Sequence, residues 1–369
     1  MKKIVIAIDS FKDSLTAKQA CDIVELAFKN INNNNQYLKL PISDGGEGLT
    51  SILTSKTKSF KVTNSIGKLR EAKIGILKDT AIIEVSSASG IEGLSKNERN
   101  PFNTTSYGTG ELIIKALDLG FNKIIIGLGG SSTNDMGIGL LQALGVKLYD
   151  KDNQQLGYFG KDIFKIEKID ISNLDQRLNK TKIIIAADVK SPLLGDLGAT
   201  MMFGSQKGLN KSDKILFENA FIKLSGIINK ETKKDYKDFQ GAGASGGIGY
   251  SLLSFTNSTI LPGFDVVSKH FNFQEKLENV DIVITGEGRI DAQTKLGKAP
   301  FEIAKLAKKV SPKVKVYALA GIVNDKEKLK VFDDIISINN NNFNIEESIK
   351  NAKNNMYNKA YELGKDILF

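Results

Sequence analysis

The chain has 369 residues, 41% of them apolar and 25% charged, and 51 Lys and Arg against 42 Asp and Glu leave it with a net charge of +9. That length exceeds one ordinary core and implies two domains; the composition is that of a globular chain, and no apolar run approaches the roughly 18 residues a membrane span needs. A lone cysteine, Cys21, excludes an intrachain disulfide, the dispersed lysines form no basic stripe with interleaved aromatics of the kind that binds nucleic acid, and the apolar run after Lys3 is too short for a signal-peptide core, so a cytoplasmic protein is expected.

Residues 4–8 (Ile-Val-Ile-Ala-Ile) read as a strand buried on both faces, as in parallel sheets. Asp9 to Asp13 continues as a polar loop. Thr16 with Gln19 then makes a capping box that opens a helix, whose apolar face is Ala20, Ile23, Val24, Ala27, Phe28 and Ile31. The Asn-rich runs at 32–35 and 339–342 read as loops. Residues 60–85 alternate as half-exposed strands do. Leu112, Ile113, Ala116 and Leu117 mark a helix stopped by Gly120. A strand at 124–126 leads through a glycine loop into a helix carrying Leu140, Leu141 and Leu144, and a further buried strand at 183–187 ends at Asp188. The last third supplies strands at 281–285, 314–320 and 334–338. Alternating strands and helices predict an α/β fold with parallel sheets. The first strand and the last three share one style, so residues 1–60 and 265–369 are expected to form one α/β domain, with 61–264 inserted as a second and the active site in the cleft between them.

In open α/β sheets ligands bind beyond the carboxyl ends of the strands, so the loop after each strand is where site residues are sought. Asp9-Ser10-Phe11-Lys12-Asp13 sets a lysine among carboxylates, a pattern that serves an anion with one group and a hydroxyl or cation with the others. Ser43-Asp44-Gly45-Gly46-Glu47-Gly48 brings backbone N–H groups within reach of a ligand beside Asp44 and Glu47. Gly129, Gly130, Ser131, Ser132, Thr133 and Asn134, between a strand and a helix, make a candidate phosphate cradle, with Asp135 closing it. Gly286-Glu287-Gly288-Arg289-Ile290-Asp291 comes directly after a strand, and Arg289, one of only four arginines, offers a planar fork to a carboxylate or phosphate. Gly241, Gly243 and Gly246 match the dinucleotide spacing but lack a buried strand before them, and neither the 127–135 loop nor Gly297-Lys298, followed by Ala299, is a Walker A motif. With one histidine, His270, outside every glycine loop, Ser–His catalysis and a Cys/His zinc site are disfavoured. Carboxylates, lysine, arginine and glycine loops suit phosphoryl transfer with magnesium.

Taken together these segments resemble the glycerate kinases of the class typified by the bacterial glyoxylate- and glucarate-pathway enzymes. The matching motifs are Asp-Ser-Phe-Lys-Asp-Ser-Leu (9–15), Asp-Gly-Gly-Glu-Gly (44–48), Thr-Thr-Ser-Tyr-Gly-Thr-Gly-Glu-Leu-Ile (104–113), Gly-Gly-Ser-Ser-Thr-Asn-Asp (129–135), Ala-Asp-Val (187–189), Phe-Gly-Ser-Gln-Lys-Gly (203–208), Gly-Ala-Gly-Ala-Ser-Gly-Gly (241–247) and Ile-Thr-Gly-Glu-Gly-Arg-Ile-Asp (284–291). Their order is the family's, and they span nearly the whole chain. Departures are Ser205 for the family's proline, Leu209 for its alanine and Met136 for a common glycine. The resemblance implies a flavodoxin-like domain built from both chain ends, ATP as donor and D-glycerate as acceptor.

The expectation is therefore ATP-dependent phosphorylation of D-glycerate, with 2-phosphoglycerate favoured over 3-phosphoglycerate, in a monomer or homodimer that engages neither nucleic acid nor membrane. Gly129 to Asn134 would cradle phosphates. Asp188 would be general base or, with Asp135, a Mg²⁺ ligand. Lys12 and Arg289 would hold the carboxylate or the moving phosphoryl, and Asp44 would act beside them. Asp9, Ser10, Glu47, Glu287 and Asp291 would bind substrate. The rival reading is an NAD-dependent oxidoreductase using the Gly241 loop.

Overall fold

A computed structural model describes residues 1–46, 48–292, 294–325, 329–340 and 344–369. The chain divides into two compact units, one of Met1–Asp44 with Pro262–Phe369 and one of Gly45–Leu261. In chain order the strands are β1 (Lys3–Ile8) and β2 (Gln36–Lys39), then β3 (Thr57–Thr63), β4 (Leu69–Leu77), β5 (Thr80–Glu84), β6 (Lys123–Gly127), β7 (Lys147–Tyr149), β8 (Lys168–Asp170), β9 (Lys182–Ala186) and β10 (Ser258–Leu261), and finally β11 (Ile282–Ile290), β12 (Lys315–Val323) and β13 (Asp334–Ser337).

In the terminal unit every strand pairing is parallel, in the order β2-β1-β11-β12-β13. Numbered within the unit, this is the 2-1-3-4-5 order of flavodoxin-like sheets, whose switch point lies between the first and third strands, here β1 and β11. The continuous apolar run of β1 results from that position, since Ile4 to Ile8 are all buried and a central parallel strand is covered on both faces. The helix Ala17–Lys29 begins at the expected capping box, with Gln19 N–H donating to Thr16 Oγ1 (3.2 Å) and Thr16 N–H to Gln19 Oε1 (2.9 Å). Its buried Ala20, Val24, Ala27 and Phe28 share one core with Ile4, Ile6 and Ile8 and with Met356 and Ala360 of the helix Ile345–Ile367. Strand β2 carries no apolar run, because an edge strand of exposed and half-buried residues needs none. The Asn-rich segment 32–35 is a turn; residues 341–342 lie outside the described residues.

The inserted unit holds a mixed sheet, β10-β9-β6-β5-β4-β3, in which β10, β9, β6 and β5 run parallel and β4 and β3 are antiparallel. A separate antiparallel ribbon pairs β7 with β8. Register aligns Glu84 with Gly127 and Gly127 with Ala186, so β5, β6 and β9 release their chains at one edge. The unit begins earlier than residue 61 and ends before 264. Glu84 is the reason at the start: its carboxylate accepts the N–H groups of Gly48 (2.9 Å) and Thr50 (2.7 Å), tying the turn and the short helix Leu49–Leu53 to the end of β5.

Gly286 lies between Ile8 of β1 and Leu319 of β12 in register and packs closely on β12, where a Cβ would meet the Leu319 carbonyl oxygen at 2.0 Å. Gly286→Ala is expected to destabilise the protein by about 1–3 kcal/mol through overpacking, read as a lower urea midpoint. Gly226→Ala, in the exposed interior of the helix Lys211–Thr232 with nothing within 4 Å of its Cβ, is expected to raise the midpoint by up to about 1 kcal/mol.

Candidate active site

In the terminal unit the ends of β1 and β11 carry one polar cluster. Asp9 is buried; its N–H donates to the Gly286 carbonyl (2.9 Å) and its Oδ1 accepts from Ser10 N–H (2.6 Å). Phe11 closes a tight loop, its N–H donating to Leu15 O (2.8 Å), and Asp13 takes the left-handed φ of 62° that lets the chain turn back. Lys12 is exposed at the tip of this loop, and a Cβ on Gly288 would stand 3.6 Å from its backbone nitrogen, so the first loop packs on the end of β11. Ser10 and Asp291 are half-buried, while Asp44 and Arg289 are exposed.

Glu287 is the buried member of the cluster. Its Oε1 accepts from Thr294 Oγ1 (3.0 Å) and its Oε2 from Lys298 Nζ (3.0 Å), which also donates to the Arg289 carbonyl (3.1 Å). Burial pushes the Glu287 carboxyl up to about 7; Lys298 and Thr294 offset part of this, and the negative charge of Asp44 adds to it. A carboxyl poised near neutrality at a strand's carboxyl end can exchange a proton with a bound hydroxyl at physiological pH. Glu47 lies outside the described residues.

In the inserted unit, the expected phosphate loop leaves β6 and lies along the segment after β5. Ser131 bridges Gly90, Ile91 N–H donates to Gly130 O (2.8 Å), and both the N–H and the hydroxyl of Ser132 donate to Ser89 O (3.0 and 3.1 Å). Gly129 and Gly130 are half-exposed and Ser131 is 8% exposed, whereas Thr133, Asn134 and Asp135 are sealed. The outer rim of the cradle is therefore glycine backbone with one hydroxyl, and the rest supports it: Asn134 Nδ2 donates to Thr200 Oγ1 (3.0 Å). Asp188 stands half-buried just past β9, beside this loop, whose Leu128 N–H donates to Ala186 O (3.0 Å).

Asp135, expected to ligate magnesium, organises the loop instead. Its Oδ2 accepts the N–H (2.9 Å) and hydroxyl (2.7 Å) of Ser106, and its Oδ1 accepts Gly137 N–H (3.0 Å). Burial holds this carboxyl above the usual range, and these donors pull it back. The Gly241 loop locks against the same segment: Ser245, Gly246 and Gly247 are all left-handed, with φ of 53°, 66° and 91°. There Ser245 Oγ donates to Leu128 O (2.9 Å), Met136 N–H donates to Gly246 O (2.9 Å), and a Cβ on Gly246 would meet Thr133 O at 2.2 Å. Residues 234–240 form no strand, so the context that the dinucleotide spacing requires is absent.

Among the described residues no three His, Cys, Asp or Glu side chains gather as a metal cage. A magnesium ion needs none, because one or two carboxylates and the substrate's phosphates suffice, and Asp188 beside the glycine loop after β6 fits that donor set. His270 is exposed on the helix Gly263–Phe271 and packs on Phe271 with ring centroids 4.6 Å apart. Glu84, Lys207, Thr294 and Lys298 were not singled out from the sequence for these roles. Glu84 ends an apolar strand just as Asp188 stands past one, so the rule that pointed to Asp188 reaches it too; Lys207 and Lys298 each lie beside a glycine, Lys207 at the end of one short turn and Lys298 past another.

The model of the glycerate kinase family matches residues 4–368. The chain is 41% identical to glycerate 2-kinase of Escherichia coli over 329 residues, 88% of this chain and 86% of that one. It is 38% identical to a glycerate kinase of Haemophilus influenzae over 377 aligned positions, covering 100% of this chain and 99% of that one. A crystal structure from Salmonella typhimurium LT2 assigned as glycerate kinase 2 superposes with a TM-score of 0.85 at 37% identity, covering 99% of this chain and 98% of that one.

Glu287 makes stability depend on pH. Its carboxyl stands at about 7 in the fold against an ordinary 4.5, so the fold favours the neutral form. That contribution is fully present below pH 4.5 and is lost as pH rises through about 7. The loss amounts to on the order of 3 kcal/mol. Urea unfolding at pH 5 and pH 8 is expected to show this fall in the wild type and its absence in Glu287→Gln; parallel pH dependence in both would assign the effect to other groups.

Proposed function

The chain belongs to the glycerate kinase family of phosphotransferases, and on that premise we propose that it transfers the γ-phosphoryl group of ATP to D-glycerate, with 2-phosphoglycerate the favoured product. One observation carries the reading: the switch point between β1 and β11 is lined by both kinds of group that a hydroxy acid needs. Lys12 and Arg289 offer charge to a carboxylate, Arg289 in bidentate form, while Asp9, Ser10, Asp44, Glu287 and Asp291 supply acceptors and donors for hydroxyl groups. The ATP phosphates are assigned to the loop Gly129–Ser131, where the half-exposed backbone of Gly129 and Gly130 leaves room for an anion and Ser132 to Asp135 hold the loop in shape.

In the reaction the hydroxyl oxygen attacks the γ-phosphorus, the bond from that phosphorus to the bridging oxygen breaks, ADP leaves, and the hydroxyl proton passes to a carboxylate. Asp188 is the proposed acceptor or the magnesium-holding carboxylate. Bound there, Mg²⁺ would neutralise charge on the phosphates. A second assignment of the proton acceptor is favoured by the near-neutral carboxyl of Glu287, since a base works best when its pKa lies near the working pH. Nothing comparable favours the oxidoreductase reading.

A coupled assay of ADP release with a panel of hydroxy acids tests the proposal. D-glycerate is expected to turn over far faster than L-glycerate or glycerol, because glycerol leaves Lys12 and Arg289 unpaired; equal turnover of glycerol would sink it. Asp188→Asn is expected to lower the rate by about 10²–10⁴-fold while the protein still melts cooperatively. A raised magnesium requirement in that variant marks Asp188 as a metal ligand, a lower rate at saturating metal marks it as the base, and activity above about a tenth of wild type hands the proton to Glu287.

A further inference from the structure

Lys207 takes no part in that reaction scheme, yet its placement is unusual for a lysine. It ends the short turn Ser205–Lys207 and is 3% exposed. Its Nζ donates to Ser131 Oγ (3.1 Å) and to the Thr133 carbonyl (2.6 Å), both in the loop after β6. Among the described residues no carboxylate lies within ion-pairing distance of it, and the acid acting on it through space is Asp135, whose oxygens are already engaged by Ser106 and Gly137. The turn cannot retreat, because Gly208, at φ +105°, lies where a Cβ would be 1.9 Å from Arg99 O.

Two hydrogen bonds do not account for a buried cation. A neutral amide would satisfy the same acceptors without the desolvation that a charge incurs in a sealed position. The same loop also holds two buried polar atoms with no hydrogen-bond partner, Thr133 Oγ1 and Asn134 Oδ1. A positive charge held under a loop of half-exposed glycine backbone, with no carboxylate of its own, is an arrangement completed by an anion on the loop's outer side. The geometry at Ser131 adds direction: because its oxygen accepts from Lys207, its own proton is left to donate to another acceptor.

We propose that Lys207 is a positioning residue for the phosphates of the nucleotide, supplying the positive charge beneath the Gly129–Ser131 loop and turning the Ser131 hydroxyl proton toward a phosphate oxygen. This rests on the proposed assignment of that loop to ATP. Burial pushes the Lys207 ammonium down to about 8 and Asp135 supports it only in part, so a bound phosphate would raise it again and draw in a proton.

The test is steady-state kinetics on the full chain with Lys207→Met, Lys207→Arg and Ser131→Ala. Lys207→Met is expected to raise KM for ATP by about tenfold or more, the effect of losing one charged hydrogen-bond partner, with KM for D-glycerate within about twofold; Lys207→Arg should restore part of the loss. Ser131→Ala leaves the lysine in place and should show the same ATP-selective pattern. Calorimetry of the wild type with Mg–ATP at pH 8 in two buffers of different ionisation heat should register net proton uptake, a readout independent of whether any variant folds. A cooperatively melting Lys207→Met with unchanged KM for ATP, equal loss toward both substrates, or no proton uptake by the wild type overturns the inference. A wild type that turns over D-glycerate with ATP while these signatures are missing leaves the proposed function standing; a wild type neither stabilised by ATP nor active with it overturns both.

Discussion

Parallel pairing of strands buried on both faces forces the strands so paired to release their chains at one edge, and the chemistry of this protein is a consequence of that constraint. Towards that edge polar and glycine residues take over: Asp9 and Asp188 stand just past β1 and β9, Glu84 is the last residue of β5, and Glu287 lies in the final residues of β11, which stays paired with β12 through Ile290. In the terminal unit the reversal of strand order between β1 and β11 leaves two such loops diverging, with Asp9 N–H bonded to Gly286 O at the base of the gap. In the inserted unit the alignment of Glu84, Gly127 and Ala186 does the same for three consecutive connections.

At those edges the fold has mainly to manage buried charge. Asp135, fully buried, is held by three donors, and in return it fixes Ser106 and the start of the helix Ile138–Ala143. Glu84 satisfies the otherwise unpaired N–H groups that open the helix Leu49–Leu53. Glu287 is paired less completely, and its carboxyl rises to about 7 because Lys298 does not fully offset burial. Burial raises both Asp135 and Glu287, so their surroundings separate them: Asp135 is sealed and ties Ser106 to Gly137, whereas Glu287 shares a polar cluster with Lys298 and Asp44.

The glycine loops show a related division. In the segment 129–135 the exposed part is glycine backbone, and the side chains that look most polar in the sequence face inward. The left-handed run Ser245-Gly246-Gly247 is not a second phosphate loop by its own pattern; its backbone is bent so that it can press on Thr133 and Met136, an approach no side chain at Gly246 would allow. Two loops far apart in the chain thereby become one rigid support.

Much of this was determined by the sequence alone. Buried strands announce themselves because their period is absent, so 4–8, 124–126 and 183–187 read correctly, as did the capping box at Thr16, whose partners are three residues apart. Candidate residues at strand ends were legible for the same local reason. The family was legible too, through eight short motifs in order. The features that only the tertiary structure decided depend on groups distant in the chain. The assignment of 45–60 to the inserted unit rests on Glu84 reaching Gly48, and the edge strand β2 on its pairing with β1. The different fates of Asp135 and Glu287 rest on which partners each meets once water is gone. Lys207 reads as one more surface lysine until the fold buries it beside Ser131, 76 residues away along the chain. Sequence period and turn chemistry are properties of neighbours; desolvation and charge pairing belong to the assembled core, and no local pattern carries them.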